Sequence, residues 1–482
     1  MMTRYIKLAV CLLFFACSFA QPATTRAGEK WDLRKCVEYA LQNNISVKQT
    51  DLQSKFSALT LTQNKAAQFP SLNYSSSVGY RLGRSENPTT GVLEDNNFFN
   101  AGMQLQSQVT VFNWFSHKNT IESNRLAWEA DKEQIKKAEN DIALNVAVAY
   151  LQVLLSREQV NQAIIQVEQS KTQLDFTRKR VDAGALPELN AVELEAQIAR
   201  DSSNLVTAEA SVQQFILQMK ALLNLDAAVS FDVETPPVNF IPLEPLADLQ
   251  PDAVYALAMA NMPQQKVNDL RLKSAQKAAE AARGNMYPTI SAFGSLSTNY
   301  VNIKIPQYTT GPYVPTAGIV TVSGTDYSVK APSFIQAGEK TIPIGKQFNN
   351  NFGQSVGIGL NVPVFNGRAA RTNWERSKLQ VNQWQLTKEQ NDLTLKQDIY
   401  KAYNDAVAAL QKFNANRKTA ETSQKAYDFA SKRYELALLS TFELITSQNN
   451  LQRAKIDLLY SQYDYVFKMK LLEFYRGQGL KL

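Results

Sequence analysis

The segments MQLQSQVTVFN (103–113) and VGIGLNVPVFN (356–366) decide the fold of this chain. Each alternates apolar residues with polar ones or glycine, each ends in Val-Phe-Asn, and they stand 253 positions apart. The same spacing carries Leu126, Ala149, Tyr150, Lys179, Arg180, Leu186 and Leu205 onto Leu379, Ala402, Tyr403, Lys432, Arg433, Leu439 and Leu458 without a gap. One unit, a short alternating segment feeding a very long helical one, is therefore present twice. Such a duplicated strand-and-helix unit suits the wall of a tube better than an active-site cleft.

In the first copy Met103, Leu105, Val109 and Val111 form one face, opposite Gln104, Gln106, Gln108 and Thr110. In the second, Val356, Ile358, Leu360, Val362 and Val364 repeat the apolar face opposite Gly357, Gly359 and Asn361. Period two marks both as strands. Segments 71–82 and 288–300 are the expected partners, joined to them by long polar loops at 83–100 and 301–352. Strands that are apolar outside and polar inside fit a membrane β-barrel, and a soluble half-buried hairpin is the alternative. Four strands cannot close a barrel, because the smallest membrane barrels have about 8. The barrel reading therefore demands oligomerisation, with eight strands from two copies or twelve from three.

No Gly or Pro stands between Gly102 and Gly184, nor between Gly367 and Gly477. A helix over 114–182 would be roughly 100 Å long. Val146, Val153, Val160, Val167, Leu174 and Val181 stand seven apart, and Ala149, Ser156, Ala163, Ser170 and Thr177 follow three residues after the first five. Large and small residues alternating on a heptad describe a closely packed supercoil. Ile399, Ala406, Phe413, Ala420, Tyr427 and Tyr434 keep the register in the second copy. The returning helices carry their own heptads, Ala191 to Met219 and Leu444 to Leu472. Each copy is thus a long antiparallel helical hairpin, with tips near 184–188 and 437–441.

The first repeat is placed at 31–235: a helix, a β-hairpin over about 71–112, a long helix over 114–182 and a return helix over 188–225. A Pro-rich linker, 236–251, precedes the second repeat at 252–476, with its hairpin over 288–365, long helix over 368–436 and return helix over 441–475. Tyr255-Ala256-Leu257 echoes Tyr39-Ala40-Leu41 near the start of the copies.

Residues 1–20 read as an export signal, with Arg4 and Lys7, an apolar run from Leu8 to Ala20, and small residues at Ser18 and Ala20. That run is too short to span a bilayer, which takes about 20 residues. Cys11 and Cys17 lie within it, leaving Cys36 without an intramolecular disulfide partner, and Cys17 stays open as a lipid-modified N-terminus. The formal charge of +7 is spread without basic blocks and gives no support to nucleic-acid binding. His117 is the only histidine, so histidine-based triads and zinc motifs are excluded. The chain offers no P-loop, no thiolate cluster and no cofactor motif, and it reads as a non-enzyme.

The opening WDLRKCVEYALQNN (31–44), the VFN exits from the strands and the closing STFELITSQNNLQRAKIDLLYSQYDYVFKMKLLEFYRG (440–477), in this order, resemble the TolC-like outer-membrane efflux proteins of Gram-negative bacteria. The resemblance covers about 31–476. It implies a mainly α protein whose four strands join a shared, trimeric 12-stranded barrel in outer-membrane lipid. It also implies a periplasmic helical tunnel that docks on a periplasmic adaptor and an inner-membrane pump. The implied docking tips are Arg180, Gly184, Ala185 and Leu186 in copy one, with Pro187 where serine is common. In copy two they are Arg433, Ala437, Leu438 and Ser440, with Ala437 in place of glycine. The implied periplasmic gate uses Glu443 as a ring of acids and Tyr434 as a latch on Asn190; Thr446 stands where a second acid is frequent. The competing reading is a periplasmic coiled-coil scaffold or adaptor without a pore.

Overall fold

The computed structural model describes residues 30–86, 92–95, 97–235, 244–436 and 438–477. The expected signal segment and Pro236, Pro237 and Pro242 of the linker lie outside the described residues. The helices are α1 (Leu33–Asn43), α2 (Ile45–Ala66), α3 (Ser116–Asp182), α4 (Glu188–Leu223), α5 (Pro251–Asn261), α6 (Pro263–Gly284), α7 (Ile344–Asn350), α8 (Ala369–Glu435) and α9 (Thr441–Tyr475). The strands are β1 (Ser71–Arg81), β2 (Arg84–Glu86), β3 (Leu93–Asp95), β4 (Phe98–Phe112), β5 (Thr289–Val301), β6 (Lys304–Val322), β7 (Thr325–Thr341) and β8 (Gly353–Asn361). They fall into two compact units, one drawn from 1–57, 127–272 and 383–482, the other from 58–126 and 273–382.

The first unit is helical. α3 and α8 each run for 67 residues, about 100 Å. The column Val146, Val153 and Val167 on α3 is buried, and so are the small residues Ala149, Ser156, Ala163, Ser170 and Thr177. Small side chains let the neighbouring backbone approach, and the valines fill the space between turns. At the base of the first repeat, Cys36, Val37 and Ala40 of α1 join a core with Val146, Tyr150 and Val153 of α3, Ile216 and Met219 of α4, and Val466 of α9. The second repeat builds the equivalent core from Val254 and Ala258 of α5, Ile399 and Ala406 of α8, and Met469 and Leu472 of α9. Each fully buried aliphatic side chain contributes about 1.5–3 kcal/mol. α1 is started by Asp32, whose carboxylate accepts from the Lys35 amide at 2.7 Å.

The second unit carries an antiparallel sheet in the order β1-β4-β5-β8. β1 and β8 are its edges. β8 ends at Asn361, short of the expected Val362 and Val364, because Pro363 has no N–H for a ladder bond. α3 begins at Ser116 because Trp114 (φ 52°) and Phe115 (φ 62°) are left-handed. Their counterparts 253 positions on, Gly367 (φ 60°) and Arg368 (φ 64°), turn the same way before α8. Glycine takes that conformation freely; the aromatic pair takes it at a cost of about 1–2 kcal/mol per residue. Further on, Gly284 closes α6, where a Cβ would meet the Ser116 Cβ at 2.9 Å and the Trp114 carbonyl at 3.0 Å.

The 301–352 stretch, expected as a polar loop, is instead largely a two-stranded hairpin, β6–β7, followed by α7. Its turn is Ser323-Gly324, both with positive φ (51° and 81°), the geometry that matches strand twist in a two-residue connection. β2 and β3 form a shorter pair within 83–100.

Candidate functional site

In the sheet unit, the register assigns every strand residue to one of two faces. Tyr74 pairs with Leu105, Leu105 with Leu296, and Gly294 with Val356, so these project from one side. That side collects Leu72, Tyr74, Val78, Tyr80, Met103, Leu105, Ile290, Leu296, Val356, Ile358 and Leu360. Most are exposed, Val356 at 92 % and Ile358 at 78 %. The other side carries Asn73, Ser75, Ser77, Gln104, Gln106, Ser291, Ser295, Ser297 and Ser355, with the glycines Gly353, Gly357 and Gly359. Phe293 is a large apolar residue on this side, and its ring lies 2.6 Å from where a Gly357 Cβ would stand.

Aromatic residues frame the sheet at both ends. At the end where the helices attach, Phe112 lies 5.4 Å from Trp114 and 5.7 Å from Phe115, and Trp114 lies 5.0 Å from Tyr287. At the other, Phe99 and Tyr300 lie 6.2 Å apart and Tyr300 and Phe348 6.5 Å. β1 has 11 residues and β8 nine, the length of a tilted membrane strand of about 9–11 residues. A bare apolar band between aromatic girdles, backed by an amide- and serine-rich face, is the surface a membrane barrel presents.

In the helical unit, the tips of the two hairpins are built differently. After α3, Gly184 (φ 74°) donates to the Val181 carbonyl at 2.9 Å and Ala185 to the Arg180 carbonyl at 2.8 Å, a left-handed glycine cap. The second tip closes with the corresponding bond, the Leu438 amide to the Arg433 carbonyl at 2.8 Å; Ala437 lies outside the described residues. α4 starts at Pro187 without a side-chain cap, whereas α9 starts with a full capping box. There the Ser440 hydroxyl accepts from the Glu443 amide at 3.3 Å, and the Glu443 carboxylate accepts from the Ser440 amide at 3.0 Å and its hydroxyl at 2.8 Å. These bonds hold the Glu443 carboxyl below the usual carboxylate range. Gly184, Ala185, Leu438 and Ser440 are exposed, and Leu186 is half-buried.

Tyr434 is only 2 % exposed. Its hydroxyl shares hydrogen bonds with Thr177 at 2.9 Å and Thr441 at 3.3 Å, so its partners are these threonines and not the expected Asn190. Asn190 is half-buried, its amide donating to the Pro187 carbonyl at 3.1 Å. The two tip arginines also part company. Arg180 donates to the Tyr434 and Glu435 carbonyls at 3.1 and 3.3 Å, capping the end of α8. Among the described residues, Arg433 reaches only the Leu438 carbonyl of its own tip, at 3.4 Å.

Two turns deeper, a polar layer that the sequence reading did not identify joins three helices. The Ser170 hydroxyl donates to Asp201 at 2.6 Å, Gln197 donates to Asp201 at 2.8 Å and to Asn449 at 3.0 Å, and Gln448 donates to Ser170 at 3.0 Å. Asp201 is 4 % exposed. Its signal was available: Leu194, Asp201 and Ala208 form a heptad column, and an acid in such a column needs donors. Thr177 and Ser170 were visible only as small seam residues. Elsewhere in this unit Cys36 is buried, and burial pushes its thiol up to about 12, so it is an inert core residue.

Known proteins resemble this chain in sequence and share its fold. A model of the outer membrane efflux protein family matches residues 36–225 and 254–470. The outer membrane efflux protein BepC of Brucella suis is 20 % identical over 468 residues, covering 96 % of this chain and 90 % of that one. The alkaline protease secretion protein AprF of Pseudomonas aeruginosa is 21 % identical over 421 residues, 86 % of this chain and 77 % of that one. Among solved structures, CusC, described as forming a transmembrane channel, superposes with a TM-score of 0.75 at 16 % identity, covering 96 % of each chain. With both repeats matched by the family model, this chain belongs to the outer membrane efflux protein family, the TolC-like conduits of the Gram-negative outer membrane.

Proposed function

We propose that three copies of this chain close one 12-stranded barrel and form the exit duct of a tripartite efflux or type I secretion system. The duct is a passive conduit that docks by its helix tips on a periplasmic adaptor and an inner-membrane pump and is gated at those tips. The observation that carries this reading is the sheet: its apolar face is bare and, among the described residues, both its edges, β1 and β8, are unpaired. Neither is tolerable in a lone sheet in lipid, where every backbone polar group needs a partner. The strands alternate in direction from β1 to β8, so β8 of one copy meets β1 of the next antiparallel, and the ring closes without a defect. The helices that continue from these edges support the same contact. Ile45, Leu52 and Leu59 on α2, and Leu379, Leu386 and Leu393 on α8, stand seven apart and are exposed. Unpartnered heptad stripes of this kind suit helices of a neighbouring copy.

Polar walls made of Gln, Ser, Asn and Gly favour water and unselective transit, so cargo is chosen upstream by the pump. BepC is named for efflux and AprF for protease secretion; both classes of cargo are compatible with such a wall. At the tips, exposed Gly184, Ala185, Leu438 and Ser440 and the half-buried Leu186 form the adaptor-facing surface in this reading, with Arg433 beside them. Arg180 and Tyr434 act as intramolecular straps that hold the two hairpins of one protomer shut. Glu443 contributes the acid of the mouth, and Asn190 lines the first tip.

The test is the protein mass of the detergent-solubilised complex extracted from outer-membrane fractions. Three protomers per particle support the duct. A monomer in the soluble periplasmic fraction would overturn it in favour of a scaffold without a pore.

A further inference from the structure

Within the sheet unit, a cleft of about 950 Å³ opens where α2 ends, α3 begins and α6 passes. Lys65, Lys118 and Lys277 line it together with Phe69, Phe115 and a single acid, Glu122. The acid is already engaged: Arg125 grips it through two bonds of 2.9 and 2.5 Å. Among the described residues neither Lys65 nor Lys118 pairs with a carboxylate, while Lys277 meets Glu280 at 2.7 Å. Lys118 lies 6.0 Å over the Phe115 ring. Phe69 is 73 % and Phe115 58 % exposed, in the turns that precede β1 and α3, so two bare aromatic rings stand at the cleft. Both belong to the end of the sheet where Phe112, Trp114 and Tyr287 form the aromatic girdle.

We infer that this cleft is a seat for one anionic glycerophospholipid of the leaflet nearest the helices, an inference that rests on the proposed membrane reading of the sheet. The phosphate sits among the three ammonium groups, and the acyl chains leave along Phe69 and Phe115 onto the apolar face that begins at Leu72. Two features select this ligand. Charge at the cleft is net positive, which favours an anion at the headgroup level. The cleft is also continuous with an apolar surface, which a free phosphate or a soluble anion leaves bare. A retained lipid fixes the junction in the plane of the membrane, where strand gives way to helix through the left-handed pair Trp114 and Phe115.

The test uses the full-length detergent-solubilised protein, titrated in native mass spectrometry with phosphatidylglycerol, phosphatidylcholine of the same chains, or inorganic phosphate. Phosphatidylglycerol is expected to be retained at least about tenfold better than phosphatidylcholine, and phosphate should not displace it. The variant K65Q/K118Q/K277Q should abolish that preference while K171Q, a control on the exposed part of α3, keeps it. Equal retention by the triple variant, or displacement by phosphate, overturns the lipid seat. So does a change of particle mass in the triple variant with lipid binding unaltered, which identifies a neighbouring copy as the occupant. Failure of the wild-type protein to insert into vesicles at all would instead strike the membrane reading beneath the inference.

Discussion

At the residue scale the tips hold the most consequential chemistry. Tyr434 and Thr177 are buried and bonded to each other across the two repeats. Tyr434→Phe strands the Thr177 hydroxyl, a loss of about 1–3 kcal/mol. In this reading it weakens the strap and raises single-channel conductance in planar bilayers. Conductance and open probability equal to wild type would remove Tyr434 from the gate. Glu443 caps the helix, and its proposed role at the mouth can be separated from that one. Glu443→Gln keeps the capping box, because an amide oxygen can also accept from Ser440, but it removes the charge. Cation preference should fall while thermal stability holds; unchanged selectivity would mean that the carboxylate is only a cap. The pH dependence has a defined sign. The Glu443 carboxyl is held below its ordinary value, so its contribution is present above that value and is lost as pH falls through the lowered one. The start of α9 should therefore loosen in acid, measurable as faster amide exchange at Thr441 to Leu444, and not at alkaline pH. The tip positions were legible because Gly184 and Ser440 announce a left-handed cap and an N-cap. The partners of Tyr434 were hidden, because a threonine in a small-residue column gives no sign of its bond until the helices are placed.

At the element scale, β4 and β8 declared themselves by strict alternation, and α3 and α8 by their uninterrupted heptads. The β6–β7 hairpin did not. Its register shifts three times and Pro306, Pro312, Pro315 and Pro332 interrupt it, so period two never persists. The Ser323-Gly324 pair between Val322 and Thr325 was its one sequence signal. Prolines also keep such a ribbon from pairing with further strands. For β8 the two-sided pattern has a sharp consequence. Ile358→Arg puts a guanidinium on the bare apolar face near mid-strand, at a cost of about 2–4 kcal/mol if that face meets lipid. Arginine at the neighbouring Gly359 faces the polar side and escapes that lipid penalty. Heat-resistant oligomer after membrane extraction should be lost for Ile358→Arg and largely kept for Gly359→Arg. Equal yields of the two would contradict the assignment of the faces.

On the scale of the whole molecule, the proposed barrel needs more than one copy of the chain, because its four strands are too few to close a membrane barrel. The proposed number of three copies is not contained in one chain's pattern, since curvature and stagger decide how many copies complete a ring. The helices offer an independent handle on closure. Leu386 and Leu393 on α8 are exposed at adjacent heptad positions, and each contributes about 1.5–3 kcal/mol where a neighbour covers it. Lysine has nearly the helix propensity of leucine, so Leu386→Lys with Leu393→Lys leaves α8 itself helical. If the stripe packs on a neighbouring copy as proposed, it also places two ammonium groups in each such contact, where burial without a counter-ion is costly. The double variant should keep the far-ultraviolet circular dichroism of the wild type. Its particle mass by light scattering should fall to one protomer, or the complex should fail to appear in the outer membrane. A full-mass complex with wild-type melting would show that the stripe faces solvent in the assembly, leaving closure to the strand edges alone.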